Sequence, residues 1–211
     1  MTKYRKKELN YTKCDPADLF PLDDFYELEK LAVFGICVAG KSMGIVWPKV
    51  QELLNPKTWW TEKLEDTPIL SPFEILSSSS EEEIKEMLHK VKMGQYERLA
   101  KALKTLGNLP TYGNWKWYDL LKVPGVSYKT AKLVQLYTYP GQKCACLDRH
   151  VLKAMKTWPL VKKMGIQVPS SAPQEEDVYS VLETVFLMKC KEERTEPWML
   201  DKKLWLAAKK G

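Results

Sequence analysis

The sequence predicts an all-α fold, and three observations support that prediction. Apolar residues recur three and four positions apart through most of the chain, as they do on the buried face of a helix. No stretch alternates convincingly between apolar and polar residues as a half-buried strand does, and no segment repeats. Helices packed against helices are therefore favoured over a sheet architecture.

The N-terminal half contains six predicted helical segments, two of them with clear end signals. Ser80 and Glu83 have the Ser-x-x-Glu spacing of a capping box, which starts a helix that runs to about Lys92. Gly107 follows another periodic stretch and can end it, because glycine adopts the left-handed conformation common after a helix. The six predicted segments are residues 22–39, 42–54, 59–64, 73–76, 80–92 and 95–106.

The C-terminal half contains five more predicted helical segments. Pro124 and Gly125 interrupt the helical pattern and separate a segment that begins at Asn114 from one that begins at Ser127. Asp148 has the position of an N-cap residue, whose carboxylate accepts the first backbone N–H groups of a helix. The five predicted segments are residues 114–121, 127–136, 148–158, 174–191 and 195–209, with a loop at residues 159–173.

Composition narrows the setting of the protein. A chain of 211 residues can bury a sizeable core, so we expect one compact domain or two closely joined lobes. No apolar run is long enough for a membrane span, and the charged N-terminus lacks the apolar stretch of a secretory signal. The five cysteines are scattered and odd in number, which fits a reducing compartment. These features predict a cytoplasmic or nucleoid protein (nuclear in a eukaryote).

The pattern of metal-binding residue types predicts no metal and no cofactor. Cys144 and Cys146 are separated by one residue, which is not the spacing of a usual zinc-binding pair. The chain has only two histidines, His89 and His150, so no second pair of ligands is at hand. The two cysteines are expected to be small, half-buried residues before a helix.

The charge distribution permits binding to nucleic acid. The formal net charge is +6, which makes the protein mildly basic. Basic residues gather at both chain ends and in a central region from residue 122 to residue 163. That central group comprises Lys122, Lys129, Lys132, Lys143, Arg149, Lys153, Lys156, Lys162 and Lys163.

The segment from Asp119 to His150 places a lysine and an aspartate on either side of a tight turn. Gly125 supplies the permissive backbone of a hairpin between two helices. The amides of Val126 and Ser127, at the start of the second helix, are expected to bind a phosphate. Lys129 follows in the first turn of that helix. Taken singly, Lys129 would be an exposed helix lysine and Asp148 a plain N-cap.

Taken together, these residues resemble a known family. The run Val123-Pro124-Gly125-Val126-Ser127-Tyr128-Lys129-Thr130-Ala131, followed by Leu147-Asp148-Arg149-His150-Val151, resembles the helix-hairpin-helix DNA glycosylases of the endonuclease III and 8-oxoguanine glycosylase superfamily. Gly94-Gln95-Tyr96 extends the resemblance upstream, and Ser127 stands where the family usually has glycine. The resemblance implies that Lys129 is the nucleophile and Asp148 the catalytic aspartate, and that Gly125, Val126, Ser127 and Lys132 contact the DNA backbone.

The resemblance also implies an architecture. The expected fold is the two-lobed helical fold of these glycosylases (HhH-GPD), with the active cleft between the lobes. Residues 40–142 would form a central lobe that contains the hairpin at residues 115–138. Residues 1–39 and 143–211 would form a second lobe from both chain ends. Several relatives of endonuclease III hold an iron–sulfur cluster through four cysteines near the C-terminus, where this chain has only Cys190, so no cluster is expected.

The chemistry implied is that of a bifunctional glycosylase and abasic-site lyase that acts on duplex DNA as a monomer. A lysine amine is a nucleophile only when neutral, and burial or a nearby cation such as Lys132 or Arg149 favours that form. The amine would displace the damaged base, and the resulting Schiff base would permit strand cleavage by β-elimination. Asp148 would stabilise positive charge that develops on the sugar.

The remaining predicted site residues concern the damaged base. Asp201 and Trp205 are four residues apart, hence on one face of the last helix, and could offer a polar group beside a stacking ring. This arrangement resembles the archaeal type of 8-oxoguanine glycosylase, so an oxidised purine is the first expectation and an oxidised pyrimidine the second. The family inserts a polar wedge into the base stack near a position that matches Gly40, which makes Lys41 the wedge candidate.

Two other interpretations stay open. The hairpin alone binds phosphates in many proteins that perform no chemistry, so the chain could be a non-catalytic duplex-binding protein. A monofunctional glycosylase would activate water in place of a lysine. The pairing of Lys129 with Asp148 favours the bifunctional enzyme over both.

Overall fold

The computed structural model describes residues 24–39, 41, 43–55, 70–111, 114–137 and 142–209. These residues form eleven α-helices and contain no strand, so the all-α prediction is confirmed for them. No helix among them is both long and apolar enough to cross a bilayer. The helices are α1 (Phe25–Cys37), α2 (Met43–Leu53), α3 (Pro72–Ser78), α4 (Glu81–Lys90), α5 (Tyr96–Gly107), α6 (Trp117–Leu120), α7 (Tyr128–Leu136), α8 (Arg149–Met155), α9 (Pro159–Lys163), α10 (Glu176–Glu193) and α11 (Pro197–Lys209).

Helices α1 to α7 surround the first of two hydrophobic clusters. α1 is central to this first cluster and packs against α2, α3, α5 and α7. Its run from Leu31 to Cys37 is buried throughout, as expected of a helix that is apolar on every side. Phe34 has no exposed surface and meets Trp47 of α2 edge to face, with ring centroids 5.1 Å apart.

Helices α8 to α11 surround the second cluster. α11 packs against both α8 and α10, and the buried Leu200 of α11 belongs to this cluster. Phe186 of α10 is fully buried and lies 6.2 Å from the ring of Trp158. The chain therefore changes cluster between α7 and α8, within the extended residues 142–148.

The position of α1 differs from the lobe division expected from the sequence. Residues 1–39 were expected to join residues 143–211, yet α1 lies in the first cluster with α2 to α7. The physical reason is that a helix buried on nearly all sides needs neighbours all around it, and the helices of the first cluster provide them. Residues 1–23 lie outside the described part of the chain.

The helix ends agree with local end signals where these involve side-chain caps. Ser80 and Glu83 form the predicted capping box: the Ser80 hydroxyl accepts the Glu83 N–H, and the Glu83 carboxylate accepts the Ser80 N–H. α1 begins later than expected because Asp24 is its N-cap. α9 forms inside the predicted loop, since Pro159 occupies a first-turn position that suits proline. The predicted segment 59–64 and Ser42 lie outside the described residues.

Candidate active site

The turn between α6 and α7 requires its glycine because of the backbone conformation there. Gly125 has φ +78°, in the left-handed region that other residues rarely adopt. A Cβ atom at this position would also lie 3.0 Å from Nη1 of Arg98, which comes from α5. The guanidinium of Arg98 thus lies against the hairpin turn.

Only one of the two hairpin amides predicted to bind a phosphate is available. The Val126 N–H donates to the Val123 carbonyl at 3.1 Å, so the prediction for Val126 is wrong in this conformation. Ser127 is the N-cap residue of α7, and its side chain makes no capping hydrogen bond. Within the described residues the Ser127 N–H has no acceptor, so phosphate binding by Ser127 stays a prediction.

Lys129 and Asp148 both lie at helix N-termini. Lys129 is half-buried in the first turn of α7. Asp148 is the N-cap of α8, as predicted, and its Oδ1 accepts the N–H groups of His150 at 2.8 Å and of Val151 at 2.9 Å. Both bonds use Oδ1, so the second carboxylate oxygen has no hydrogen bond within the described part of the chain.

Residues 142–148 belong to no helix and bring Asp148 beside α7, with a tight turn at the end in which the Asp148 N–H donates to the Cys146 carbonyl at 2.7 Å. Their side chains alternate between the two clusters: Cys144 and Cys146 belong to the first, Ala145 and Leu147 to the second. This two-residue periodicity is that of an extended chain packed on both faces. The Cys146 thiol lies 3.7 Å from the carbonyl oxygen of Lys129, so the chain passes directly alongside the first turn of α7.

Asp201 completes a group of three ionisable side chains. It is 9 % exposed, and the Tyr137 hydroxyl donates to its Oδ2 at 3.0 Å. Burial raises the pKa of Asp201 to about 7, and the negative charge of Asp148 acts in the same direction. The Tyr137 hydrogen bond and the positive charge of Lys129 oppose this rise. Asp201 therefore lies within electrostatic range of both residues, and we call the three the Lys129–Asp148–Asp201 cluster.

A buried thiol lies at the same place. Burial raises the pKa of Cys146, and the charges of Asp201 and Asp148 add to this effect while that of Lys129 opposes it. The charges of Lys129 and Asp148 thus shift the pKa of two separate groups, the Cys146 thiol and the Asp201 carboxyl. The four described cysteines are all buried free thiols: Cys37, Cys144, Cys146 and Cys190.

Lys132 differs from its predicted role. Its amine is 3.3 Å from Oε2 of Glu183 on α10 and 4.0 Å from the ring centroid of Trp117. Only 8 % of the residue is exposed, so Lys132 does not present its amine to a DNA backbone in this structure. Its charge is also countered by Glu183, which weakens any effect on Lys129. Arg149, the other expected cation, is exposed, and its Nε donates to Nε2 of His150 at 3.4 Å.

The wedge and pocket candidates are only partly positioned. The Lys41 amine donates to the Met93 carbonyl at 2.8 Å, and burial lowers the pKa of Lys41. Gly40 lies outside the described residues, so the wedge role of Lys41 stays a prediction. Trp205 is half-buried one turn beyond Asp201 on the same face of α11, as its spacing implies.

The sequence did not predict three residues that support the site, namely Tyr137, Tyr179 and Glu183. Tyr179 and Glu183 are four positions apart on α10, between buried residues such as Leu182 and Phe186. Polar groups at helical spacing within an apolar face are the signal that could have identified them. Among the described residues, no group of three histidine, cysteine, aspartate or glutamate side chains is placed to hold a metal ion.

Comparisons with other proteins do not assign a family. No model of a known protein family, no curated protein and no solved structure matches this chain. The function must therefore be argued from the geometry of the cluster and from the motif that contains Lys129 and Asp148.

Proposed function

We propose that this protein is a base-excision-repair DNA glycosylase with abasic-site lyase activity, built on the two-lobed helix-hairpin-helix glycosylase fold. The observation that supports the proposal best is the Lys129–Asp148–Asp201 cluster at the start of α7. If Lys129 were an ordinary surface lysine and Asp148 only a helix cap, we would not expect both to be partly buried and within electrostatic range of a second carboxyl group. A nucleophilic lysine beside two carboxyl groups has a chemical use for all three.

The reaction would begin at the sugar carbon that bears the damaged base. The neutral Lys129 amine attacks this carbon, and the bond to the base breaks with its electron pair leaving on the base, which takes up a proton. The bond between this carbon and the ring oxygen then breaks with its electron pair on the oxygen, which takes the proton that the amine loses, so the ring opens and a Schiff base joins Nζ to the sugar. Loss of a proton from the adjacent carbon then expels the 3′-phosphate with its electron pair. Water finally hydrolyses the Schiff base and frees the lysine.

The two carboxyl groups would have different tasks. Asp148, whose Oδ1 is fixed by two N–H groups, can turn its other oxygen toward positive charge on the sugar. Asp201 holds its proton up to about neutral pH because of burial and of the charge on Asp148. Two carboxyl groups with environments this different can serve as a charge stabiliser and a proton carrier in the same site.

The substrate proposed is an oxidised base, first of all 8-oxoguanine, in duplex DNA. A base can reach the cluster only if it is turned out of the stack, and Trp205 beside Asp201 offers a ring against which it could lie. The duplex would lie along the Ser127 amide and the exposed basic residues after Asp148. These are Arg149, Lys153, Lys156, Lys162 and Lys163, all exposed.

Borohydride trapping tests the proposal, because hydride reduces a Schiff base to a stable amine. The purified protein is incubated with duplexes that contain 8-oxoguanine, thymine glycol or an abasic site, beside the variants Lys129→Gln and Asp148→Asn. Wild type should form a covalent adduct, Lys129→Gln should form none, and Asp148→Asn should form it slowly. Lys101→Gln, an exposed lysine on α5, is the control and should trap as wild type does.

The same experiment separates the alternatives. Binding of duplex DNA without trapping on any substrate would favour a non-catalytic duplex-binding protein. Release of the damaged base with an intact strand and no adduct would favour a monofunctional glycosylase. Trapping that persists in Lys129→Gln would contradict the assignment of the nucleophile.

A further inference from the structure

We propose that Tyr179 and Glu183 of α10 are positioning residues that fix Asp148 relative to Lys129. The inference rests on the proposed function, because it concerns the same lysine and aspartate. Neither residue belongs to the Lys129–Asp148–Asp201 cluster, and both act through the backbone of residues 142–148.

Side chains of α10 take the place of a neighbouring strand along this extended segment. The Tyr179 hydroxyl donates to the Ala145 carbonyl at 2.7 Å and accepts the Leu147 N–H at 3.1 Å. Oε1 of Glu183 accepts the Ala145 N–H at 2.9 Å. Buried backbone groups need such partners, and here two side chains one turn apart supply three of them. The bond from the Leu147 N–H to the Tyr179 hydroxyl reaches the residue immediately before Asp148.

Glu183 also reaches the helix that contains Lys129. Its second oxygen, Oε2, contacts the amine of Lys132 at 3.3 Å, and Lys132 lies one turn after Lys129 on α7. The side chains of this ion pair are only 10 % and 16 % exposed, and Trp117 covers the amine. One carboxylate therefore contacts both the segment that ends at Asp148 and the helix that contains Lys129 in its first turn.

This arrangement explains why a charged pair is buried beside the cluster. A buried pair contributes little net stability compared with apolar residues of the same size, but it holds its partners in one geometry. Catalysis depends strongly on such geometry, since a misplacement of about 1 Å can cost on the order of 100-fold in rate. Loss of the Glu183 anchor should therefore slow Schiff-base formation and leave duplex binding unchanged.

Two double variants separate positioning from stability. Lys132→Met with Glu183→Met removes both charges and the acceptor for Ala145, whereas Lys132→Met with Glu183→Gln removes the charges and keeps an acceptor. Neither leaves an unpaired buried charge, so both should fold. Each is measured for its melting temperature, its affinity for a duplex with an uncleavable abasic-site analogue, its trapping rate on an abasic duplex, and hydrogen exchange at the Ala145 N–H.

The variant with two methionines, Lys132→Met with Glu183→Met, should form the trapped adduct on the order of 100-fold more slowly than wild type. Its affinity for the duplex should be unchanged, and hydrogen exchange at the Ala145 N–H should be faster. The variant with Glu183→Gln keeps the protection of Ala145 but loses the ion pair to α7, so it should trap more slowly than wild type and faster than the variant with two methionines. If both double variants trapped at the wild-type rate, the positioning role would be overturned and the proposed function would stand. Absence of trapping by wild type itself would overturn the proposed function and the positioning role together.

Discussion

The backbone of residues 142–148 is held on one side by α10 through three hydrogen bonds of 2.7 to 3.1 Å. On the other side the segment contacts α7 through two thiols and through a 3.3 Å side-chain hydrogen bond from Gln135 to Gln142. Those thiols, of Cys144 and Cys146, lie 3.8 and 3.7 Å from the carbonyl oxygens of Lys132 and Lys129. A thiol is a weak donor, so the two sides differ in strength although both are buried. Asp148 therefore takes its position from α10, and its distance to Lys129 depends on how α10 is joined to α7.

The largest effect is expected where α10 and α7 are joined. Lys132→Met leaves the Glu183 carboxylate buried without its cation, which should lower the free energy of unfolding by about 3–5 kcal/mol. Urea denaturation measures the change. The control is Lys122→Met, because Lys122 forms a shorter ion pair, 2.7 Å from Asp119, but is largely exposed. If both variants lower the free energy of unfolding by the same small amount, the buried ion pair does not hold the two helices together.

A smaller effect is expected from the α10 side of the segment alone. Tyr179→Phe leaves the Ala145 carbonyl and the Leu147 N–H buried without a partner, at a cost of about 2–4 kcal/mol. Cys144→Ala is the matched change on the α7 side and should cost about 1 kcal/mol, since it removes a small side chain and a weak contact. Equal losses in urea denaturation would contradict the difference between the two sides.

The third effect concerns α11 and depends on pH. Because the pKa of Asp201 is raised from 3.8 to about 7, the unfolded chain loses this proton at lower pH than the folded one. Stability therefore falls as pH rises through that window, and the whole penalty is present above about pH 7. The free energy of unfolding of Asp201→Asn, measured relative to wild type, should therefore be about 2–3 kcal/mol higher at about pH 8 than at about pH 5.

Urea denaturation at the two pH values measures this gain. Asp119→Asn is the control, because the Lys122 hydrogen bond lowers the pKa of Asp119 and its titration lies below this window. A constant difference between Asp201→Asn and wild type across the window would show that Asp201 is not held as the structure has it.

Local chemistry explains which parts of the fold and site the sequence could predict. The caps at Ser80 and Asp148 depend on residues within three positions of one another, so spacing alone identified them. The candidate pair Lys129 and Asp148 came from a motif of the same local kind. The helical character of α1 and its burial also followed from its apolar pattern.

Contacts between distant residues account for what the sequence could not predict. Lys132 meets Glu183 across 51 positions, and nothing in the α7 sequence indicates that a carboxylate lies opposite. The pattern of α1 predicts burial but does not say which helices surround it. The Val126 amide was expected to be free, yet its acceptor is determined by how tightly the hairpin closes on Val123.

The side chains of residues 142–148 alternate between two clusters. An insertion or deletion in this segment should therefore be more harmful than a substitution of similar size. One inserted residue would turn Cys146 toward the second cluster and its neighbours toward the first. Removal of two residues would keep the sides but draw Asp148 back by about 7 Å. The exposed Ser170-Ser171 lies in a loop that would absorb either change at the surface. Functional variants of this chain should therefore differ in length before α10 and keep the number of residues in the segment 142–148 constant.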